Sequence, residues 1–108
     1  MSTSPTPLFD AAQLHRRTMG DGALQVELLS LFVTEVERLM RQVEDARDPQ
    51  IRGDRLHAMI GLARNTGAVR LAQAARQLET AIAVDDPDLT PLRAVLSETL
   101  AYVHQAGI

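Results

Sequence analysis

The sequence predicts an all-α protein, an antiparallel up-down-up-down four-helix bundle with a short extra helix at its N-terminus. Three observations support this prediction. Hydrophobic residues make up 45% of the 108 residues but aromatic residues only 3%, so the core must consist of aliphatic side chains, as is usual in helical bundles. Apolar residues recur at intervals of three and four, the spacing of one helix face. Proline, glycine and aspartate separate these apolar stretches.

Composition also limits the classes of function. The formal net charge of −3, with acids and bases interspersed, argues against nucleic-acid binding. The absence of cysteine excludes disulfides, thiolate nucleophiles and cysteine-bound metals. No apolar run approaches the ~20 residues of a membrane span, and the N-terminus lacks the features of a secretory signal. We therefore expect a cytoplasmic, single-domain protein without a membrane or nucleic-acid partner.

The N-terminal part of the chain is predicted to contain one short helix. Residues 1–7 are rich in Ser, Thr and Pro and are predicted to form a mobile arm before a domain that spans residues 8–108. Asp10 is predicted to cap the short helix, with Gln13 as its capping-box partner. The only tight basic cluster, residues 15–17, is interpreted as a solvated helix end, where cations are favourable.

The long second helix is predicted to follow the turn Gly20-Asp21-Gly22. Its core-facing stripe consists of Leu24, Leu28, Leu31, Phe32, Val36, Leu39 and Val43. Asp48-Pro49 is predicted to end it, because proline disfavours helix in the preceding residue and suits the first turn of the next helix.

Two turn signals separate the remaining helices. The third helix is predicted from Pro49 to about Arg64, followed by the turn Asn65-Thr66-Gly67 with a left-handed position. Asp85-Asp86-Pro87 is predicted to break the fourth helix from the fifth. The stripe of the fourth helix is Ala68, Leu71, Ala75, Leu78 and Ile82, and that of the fifth is Leu89, Leu92, Leu96, Leu100 and Val103.

His57 is the candidate functional residue of the third helix. It lies one residue, about 100° round the helix, from the core-facing Leu56, so we expect it to point outward. On the same face lie an apolar residue, a glycine and a cation: Ile60, Gly61 and Arg64.

Gly61 requires an explanation, because glycine in a helix interior costs about 1 kcal/mol relative to alanine. Without a side chain at this position, a second molecule or a phosphoryl group can approach His57 closely. The alternative is that Gly61 makes room for a neighbouring helix of the bundle. Periodicity alone favours neither interpretation.

Elimination narrows the chemistry that a lone histidine can perform. A metal site needs several converging donors, and Asp54 is the only carboxylate at helical spacing from His57. A hydrolytic site needs a hydroxyl or thiol nucleophile, and neither Thr66 nor Ser97 stands in such a context. The remaining role is that of nucleophile, since a neutral imidazole can accept a phosphoryl group. A partner would then supply Mg²⁺ and carboxylates.

The spacing of residues from His57 onward resembles the signature of histidine-containing phosphotransfer (HPt) domains. That signature has His, Gly at +4, Gly-Ala at +10 and +11, Leu at +14 and Leu-Glu at +21 and +22. The matching positions here are His57, Gly61, Gly67-Ala68, Leu71 and Leu78-Glu79, with Met19-Gly20-Asp21 upstream. Several spacings agree at once, so the resemblance is more specific than any single motif.

The resemblance implies a four-helix bundle with an exposed, phosphorylated histidine on the third helix, His57. Its partners would be response-regulator receiver domains and/or a histidine kinase. The resemblance implies no cofactor of its own, Mg²⁺ on the partner receiver, and access past Gly61. We expect a monomer. The chain contains no nucleotide-binding motif, so its phosphate must come from a protein rather than from ATP.

The sequence departs from the family pattern at two positions. The family commonly has Lys at +3 and Ser at +5, whereas this chain has Ile60 and Leu62. Arg64 is a candidate replacement for the missing positive charge, since side chains on helices lean toward the N-terminus. Ile60 either belongs to the core or extends an apolar docking patch beside His57, and we expect docking.

Two other functions remain open. The missing lysine favours a binding-only module that docks a receiver or kinase without carrying phosphate, whereas the presence of both His57 and Gly61 opposes it. A purely structural bundle with an incidental surface histidine is disfavoured by the agreement of several motif positions.

Overall fold

A computed structural model of the chain describes residues 6–81 and 87–106. Over those two ranges it contains helices and no strand, which confirms the all-α prediction. The helices are α1 (Ala11–Arg17), α2 (Gly22–Asp45), α3 (Pro49–Thr66), α4 (Val69–Thr80) and α5 (Thr90–Gln105). Consecutive long helices pack on one another, α2 on α3, α3 on α4 and α4 on α5, as expected for an antiparallel bundle. The complete up-down-up-down order stays a prediction.

Aspartate side chains cap α1, α2 and α3, and a fourth aspartate bonds to the first residue of α5. Asp10, as predicted, and also Asp21 and Asp48 each accept a hydrogen bond from a backbone N–H in the first turn of their helix. At the start of α5, Asp88 accepts a hydrogen bond from the Thr90 N–H at 3.0 Å. This bond stabilises the ionised carboxylate and therefore lowers the pKa of Asp88 below its ordinary value.

The predicted capping box at the start of α1 is wrong in its second half. The Gln13 side chain does not return to the Asp10 backbone, but donates from Nε2 to the Arg64 carbonyl at 2.6 Å. The Asp10 N–H instead donates to the Gly67 carbonyl at 2.7 Å. These two bonds fix the N-terminal segment to the end of α3, because each joins residues more than 50 positions apart.

Arg70 holds the described end of the predicted mobile arm. Its guanidinium donates to the Thr6 carbonyl from Nε and Nη2 at 3.3 and 3.1 Å, and pairs with Glu98 of α5 at 3.0 Å. Thr6 is therefore hydrogen-bonded to α4, and the mobility of the arm stays a prediction. Residues 1–5 of the arm lie outside the described residues.

The core is aliphatic, as the composition predicts. The Phe9 ring stacks on Tyr102 with centroids 5.0 Å apart, which places the N-terminal segment against α5. Arg52 is buried and donates from Nη2 to the Ala46 carbonyl at 2.8 Å, joining the start of α3 to the end of α2. The largest fully buried apolar side chains are Phe32, Val36, Val43, Leu56, Met59, Leu71, Leu92 and Val103.

The predicted core stripe of α2 is wrong at two positions. Leu24 is partly exposed, and Leu31 is 61% exposed. Leu31 lies about 100° round the helix from the buried Phe32, and Leu24, seven residues earlier, shares its face. The stripe predicted from the sequence therefore merges the core face with part of an adjacent face.

The C-terminal end of α3 agrees with the predicted left-handed position at Gly67, but Asn65 and Thr66, predicted in the turn, are still helical. The helix ends at Thr66, and Gly67 follows as its C-cap with φ 104°, in the left-handed region. Of the predicted fourth stripe and the break after it, Ile82 and Asp85-Asp86 lie outside the described residues. Across the described ranges, no helix is long and apolar enough to cross a membrane.

Candidate functional site

The exposed face of α3 carries His57 and Gly61 side by side. The His57 side chain is 80% exposed, as its position beside buried Leu56 predicts. Gly61, four residues later, is also exposed, and a Cβ built on it meets no atom within 4 Å. The interpretation that Gly61 makes room for a neighbouring helix is therefore wrong for the described part of the chain. Open space lies next to the histidine instead.

Glu79 of α4 lies beside the histidine ring. Its Oε2 is 3.3 Å from His57 Nδ1, and its side chain is only 33% exposed. A carboxylate at this position favours the imidazole tautomer that carries its proton on Nδ1, which leaves the lone pair on Nε2 free. The exposed histidine thus has a more buried carboxylate beside Nδ1, and in the Nδ1–H tautomer its other nitrogen can act as a nucleophile.

The contact of Glu79 with His57 was not predicted from the sequence. Glu79 appeared there only as the last position of the spacing pattern, 22 residues after His57. The pair forms because α3 and α4 pack together through the tight connection at Gly67. The available signal was a glutamate at the far end of the partner helix, but its contact with His57 depends on the register between the two helices.

Ile60 does not lie beside His57 on the surface. Its side chain is 4% exposed and belongs to the core, with Leu56, Met59 and Ala63. The expectation that Ile60 extends an apolar docking patch is therefore wrong. Ile60 follows Met59 by one residue and Leu56 by four, so its side chain falls on the edge of α3 that the bundle covers.

Arg64 is exposed, but its guanidinium makes no hydrogen bond or ion pair with His57 or with any other described residue. Together with Arg17 and Arg76 it lines a groove between α1, α3 and α4. Its backbone carbonyl accepts the bond from Gln13. The prediction that Arg64 supplies the positive charge that the family's lysine would give remains a prediction.

An apolar groove between α2 and α3 was not predicted from the sequence. Leu28 and Leu31 of α2 and Leu62 of α3 line a cavity of about 320 Å³. Leu31 is the most exposed of these side chains. On α3, Gly61 lies between Leu62 and His57 around the helix, at roughly 100° from the former and 40° from the latter. The groove and the histidine thus lie on either side of the open space at Gly61.

The titratable residues of the described chain form no group of three that could hold a metal ion. The histidine site consists of one imidazole, one carboxylate and the open space beside Gly61. Such an arrangement can offer a nucleophilic nitrogen to a second molecule.

Comparison with known proteins identifies a family for this chain. The family model described as "Hpt domain" matches residues 27–106, which is more than half of the chain and includes His57, Gly61 and Glu79. No curated protein and no solved structure shows a match to the chain. The matched range covers α3, α4 and α5 completely, together with most of α2. The chain therefore belongs to the Hpt domain family, the phosphotransfer modules of two-component signalling.

Proposed function

We propose that this protein is a phosphorelay intermediate, in which His57 carries a phosphoryl group between the aspartates of receiver domains or exchanges it with a histidine kinase. The observation that carries the proposal is the pair of His57 Nδ1 and Glu79 Oε2 at 3.3 Å beside an unobstructed Gly61. A surface histidine without a function would need neither a carboxylate beside Nδ1 nor open space at the neighbouring glycine.

The proposed step conserves atoms and charge. The Nε2 lone pair of His57 attacks the phosphorus of an aspartyl phosphate, so that an N–P bond forms as the O–P bond breaks and the aspartate leaves as a carboxylate. The ring becomes cationic while its proton stays on Nδ1, facing the Glu79 carboxylate. Phosphoryl transfer depends mainly on position and charge neutralisation, so Mg²⁺ bound to the receiver supplies the remaining charge.

The approach of the receiver follows from the two flanks of α3. We infer that α3 runs antiparallel to both α2 and α4, which places the groove of Leu28, Leu31 and Leu62 on one side of Gly61 and His57 on the other. A receiver seated over Gly61 would cover exposed Leu31 and bring its aspartate to Nε2. Leu31 thus replaces Ile60 as the proposed apolar docking residue, since interface cores are built on such exposed apolar side chains.

The second candidate is a binding-only module that docks a receiver or kinase without carrying phosphate. The observation that favours it is Ile60, which stands where the family commonly has lysine and is buried here. No cation therefore extends from that position toward a phosphoryl group on His57. The Glu79 contact favours transfer, because a module that only docks does not require an oriented imidazole.

Transfer of label from a receiver tests the proposal. Purified protein is mixed with receiver domains that have been phosphorylated on aspartate in the presence of Mg²⁺, and acid-labile label is followed on wild type and on His57→Gln. We expect label on wild type and none on H57Q, because glutamine lacks a nucleophilic ring nitrogen. His104→Gln, on α5, is the matched control and should label as wild type does. Receiver binding without label on either protein would establish the binding-only module.

Glu79 is proposed as a positioning residue, and its removal should slow the transfer. In Glu79→Ala the imidazole is no longer held in one tautomer, so we expect the transfer rate to fall about tenfold while the fold is retained. The ¹⁵N chemical shifts of His57 should move from the Nδ1–H pattern of wild type toward a mixture of tautomers, a change that a purely structural role would not produce.

Glu37→Ala, on the exposed face of α2, serves as the control for the loss of a glutamate. It should leave both the transfer rate and the His57 ¹⁵N shifts unchanged. Equal rates and equal ¹⁵N shifts in E79A and wild type would remove Glu79 from the mechanism, without affecting the proposal for His57 itself.

A further inference from the structure

A second groove, on the α1 side of the site, carries a concentration of positive charge. It lies between α1, α3 and α4, has a volume of about 520 Å³, and is lined by Arg17, Arg64 and Arg76, one from each helix. Among the described residues that line it there is no aspartate or glutamate. The chain as a whole carries a formal charge of −3, so its charges are segregated at this surface.

The three arginines of this basic groove are unpaired in the described part of the chain. By contrast, Arg70 and Arg93 each form an ion pair with a glutamate of another helix. The guanidinium groups of Arg17, Arg64 and Arg76 make no hydrogen bond or ion pair with a described residue. Three like charges around one cavity repel one another and raise the local positive potential, and an anionic ligand would relieve that repulsion.

The basic groove lies near the histidine site along α3 and α4. Arg64 follows His57 by seven residues on α3, about two turns and about 10 Å along the helix axis. Arg76 precedes Glu79 by three residues on α4, less than one turn away. A partner whose aspartate reaches His57 therefore extends over the basic groove as well, if its contact area is of ordinary size.

We propose that the basic groove binds an acidic segment of the protein that exchanges phosphoryl groups with His57, an inference that rests on the proposed function. The guanidinium groups contact carboxylates of that segment, and Gln13 and Gln73 offer side-chain amides to its backbone. Val69 and Ala72 supply an apolar surface between these polar groups.

An elongated acidic segment fits this groove better than a single small anion does. The positive charges come from three helices around a cavity larger than one phosphate group, whereas a phosphate site gathers its donors around one point. The groove therefore gives the protein an electrostatic means to select among partners that share the same phosphoryl chemistry, since charge complementarity governs association rate and specificity.

The first experiment tests the groove directly and needs no cognate partner. ¹⁵N-labelled protein is titrated with a peptide of ten glutamates at low salt, and backbone and arginine Nε signals are followed. We expect shifts confined to the end of α1, the end of α3 and the middle of α4. The double variant Arg17→Glu/Arg76→Glu should bind the peptide at least fivefold more weakly. Arg41→Glu/Arg47→Glu, with the same change in net charge, should bind as wild type does.

Two results of this titration would overturn the inference. One is peptide binding elsewhere on the surface, or equal loss of affinity in both double variants, which would indicate a general effect of net charge. The other is full displacement of the peptide by equimolar inorganic triphosphate at the same residues, which would make the groove a small-anion site instead.

The second experiment connects the groove to transfer. For the receiver that labels wild type fastest, R17E/R76E should lower the second-order rate constant about tenfold or more at low salt, with R41E/R47E near wild type. The difference should disappear at 1 M salt, where the screening length is about 3 Å. A rate equal to wild type at low salt would contradict the inference.

Chemical phosphorylation separates this inference from the proposed function. Phosphoramidate, a small phosphoryl donor that needs no docking, should label His57 equally in wild type and R17E/R76E. If phosphoramidate and every receiver fail to label wild type, the proposed function fails, while the peptide titration still decides whether the groove binds an acidic segment. If labelling by phosphoramidate is equal but receiver transfer falls only in R17E/R76E, both proposals stand.

Discussion

Gly67→Ala should cost the protein about 2–4 kcal/mol of stability and lower its melting temperature by about 10–25 °C. Two costs combine at this position. Gly67 has φ 104°, where a side chain is strained, and a Cβ there would lie 2.8 Å from the Asp10 carbonyl oxygen. That oxygen belongs to the backbone, so relief requires the whole N-terminal segment to move away from α3.

The same movement would break the backbone contact that joins the two segments. The Gly67 carbonyl accepts the Asp10 N–H at 2.7 Å. This bond breaks if the N-terminal segment moves away from the end of α3. Urea or thermal unfolding followed by circular dichroism measures the effect. Gly22→Ala is the matched control, because a Cβ on Gly22 meets no atom within 4 Å, and it should be neutral or slightly stabilising. Equal stabilities of G67A and G22A would refute this account of the turn.

Gly61→Phe, unlike Gly67→Ala, should fold normally but should fail to accept a phosphoryl group from a receiver. The space around Gly61 is open, so the free protein accommodates the ring, and helix propensity even favours phenylalanine over glycine. The ring would occupy the space through which the receiver reaches His57. A displacement of about 1 Å can cost about a hundredfold in rate, so we expect a loss of at least that size from any receiver.

Two comparisons isolate the cause of that loss. Gly61→Ala should be up to about 1 kcal/mol more stable than wild type and should transfer far better than G61F. Ala101→Phe, an exposed position on α5, should leave transfer unchanged. Labelling of G61F by phosphoramidate should remain close to wild type, because that donor is small. Transfer from a receiver to G61F at the wild-type rate would show that the partner does not approach over Gly61.

Most of the fold could be predicted from the sequence because its signals are local. Helix periodicity, the Pro49 start and the left-handed Gly67 depend on residues within one or two turns of one another, and the structure agrees with each. The outward direction of His57 follows in the same way from its position beside Leu56.

The wrong predictions concern residues whose burial or contacts depend on a neighbouring helix. Ile60 and Leu31 each lie near the border between the core face and the surface of their helix, and periodicity predicts the wrong side for both. Helix periodicity fixes the angle between residues but not the width of the surface that a neighbour covers. The contact of His57 with Glu79 depends on the relative register of two helices, which no local pattern encodes.

The 80% exposure of the His57 side chain affects how long a phosphoryl group would remain on it. A phosphoryl group on so exposed a ring would stand in water, so its lifetime would be limited by the chemistry of the N–P bond rather than by the fold. The phosphoryl group would stay on His57 only until an acceptor that can take it collides with the protein. The branch that the signal takes would therefore depend on the abundance of competing acceptors and on how fast each one docks.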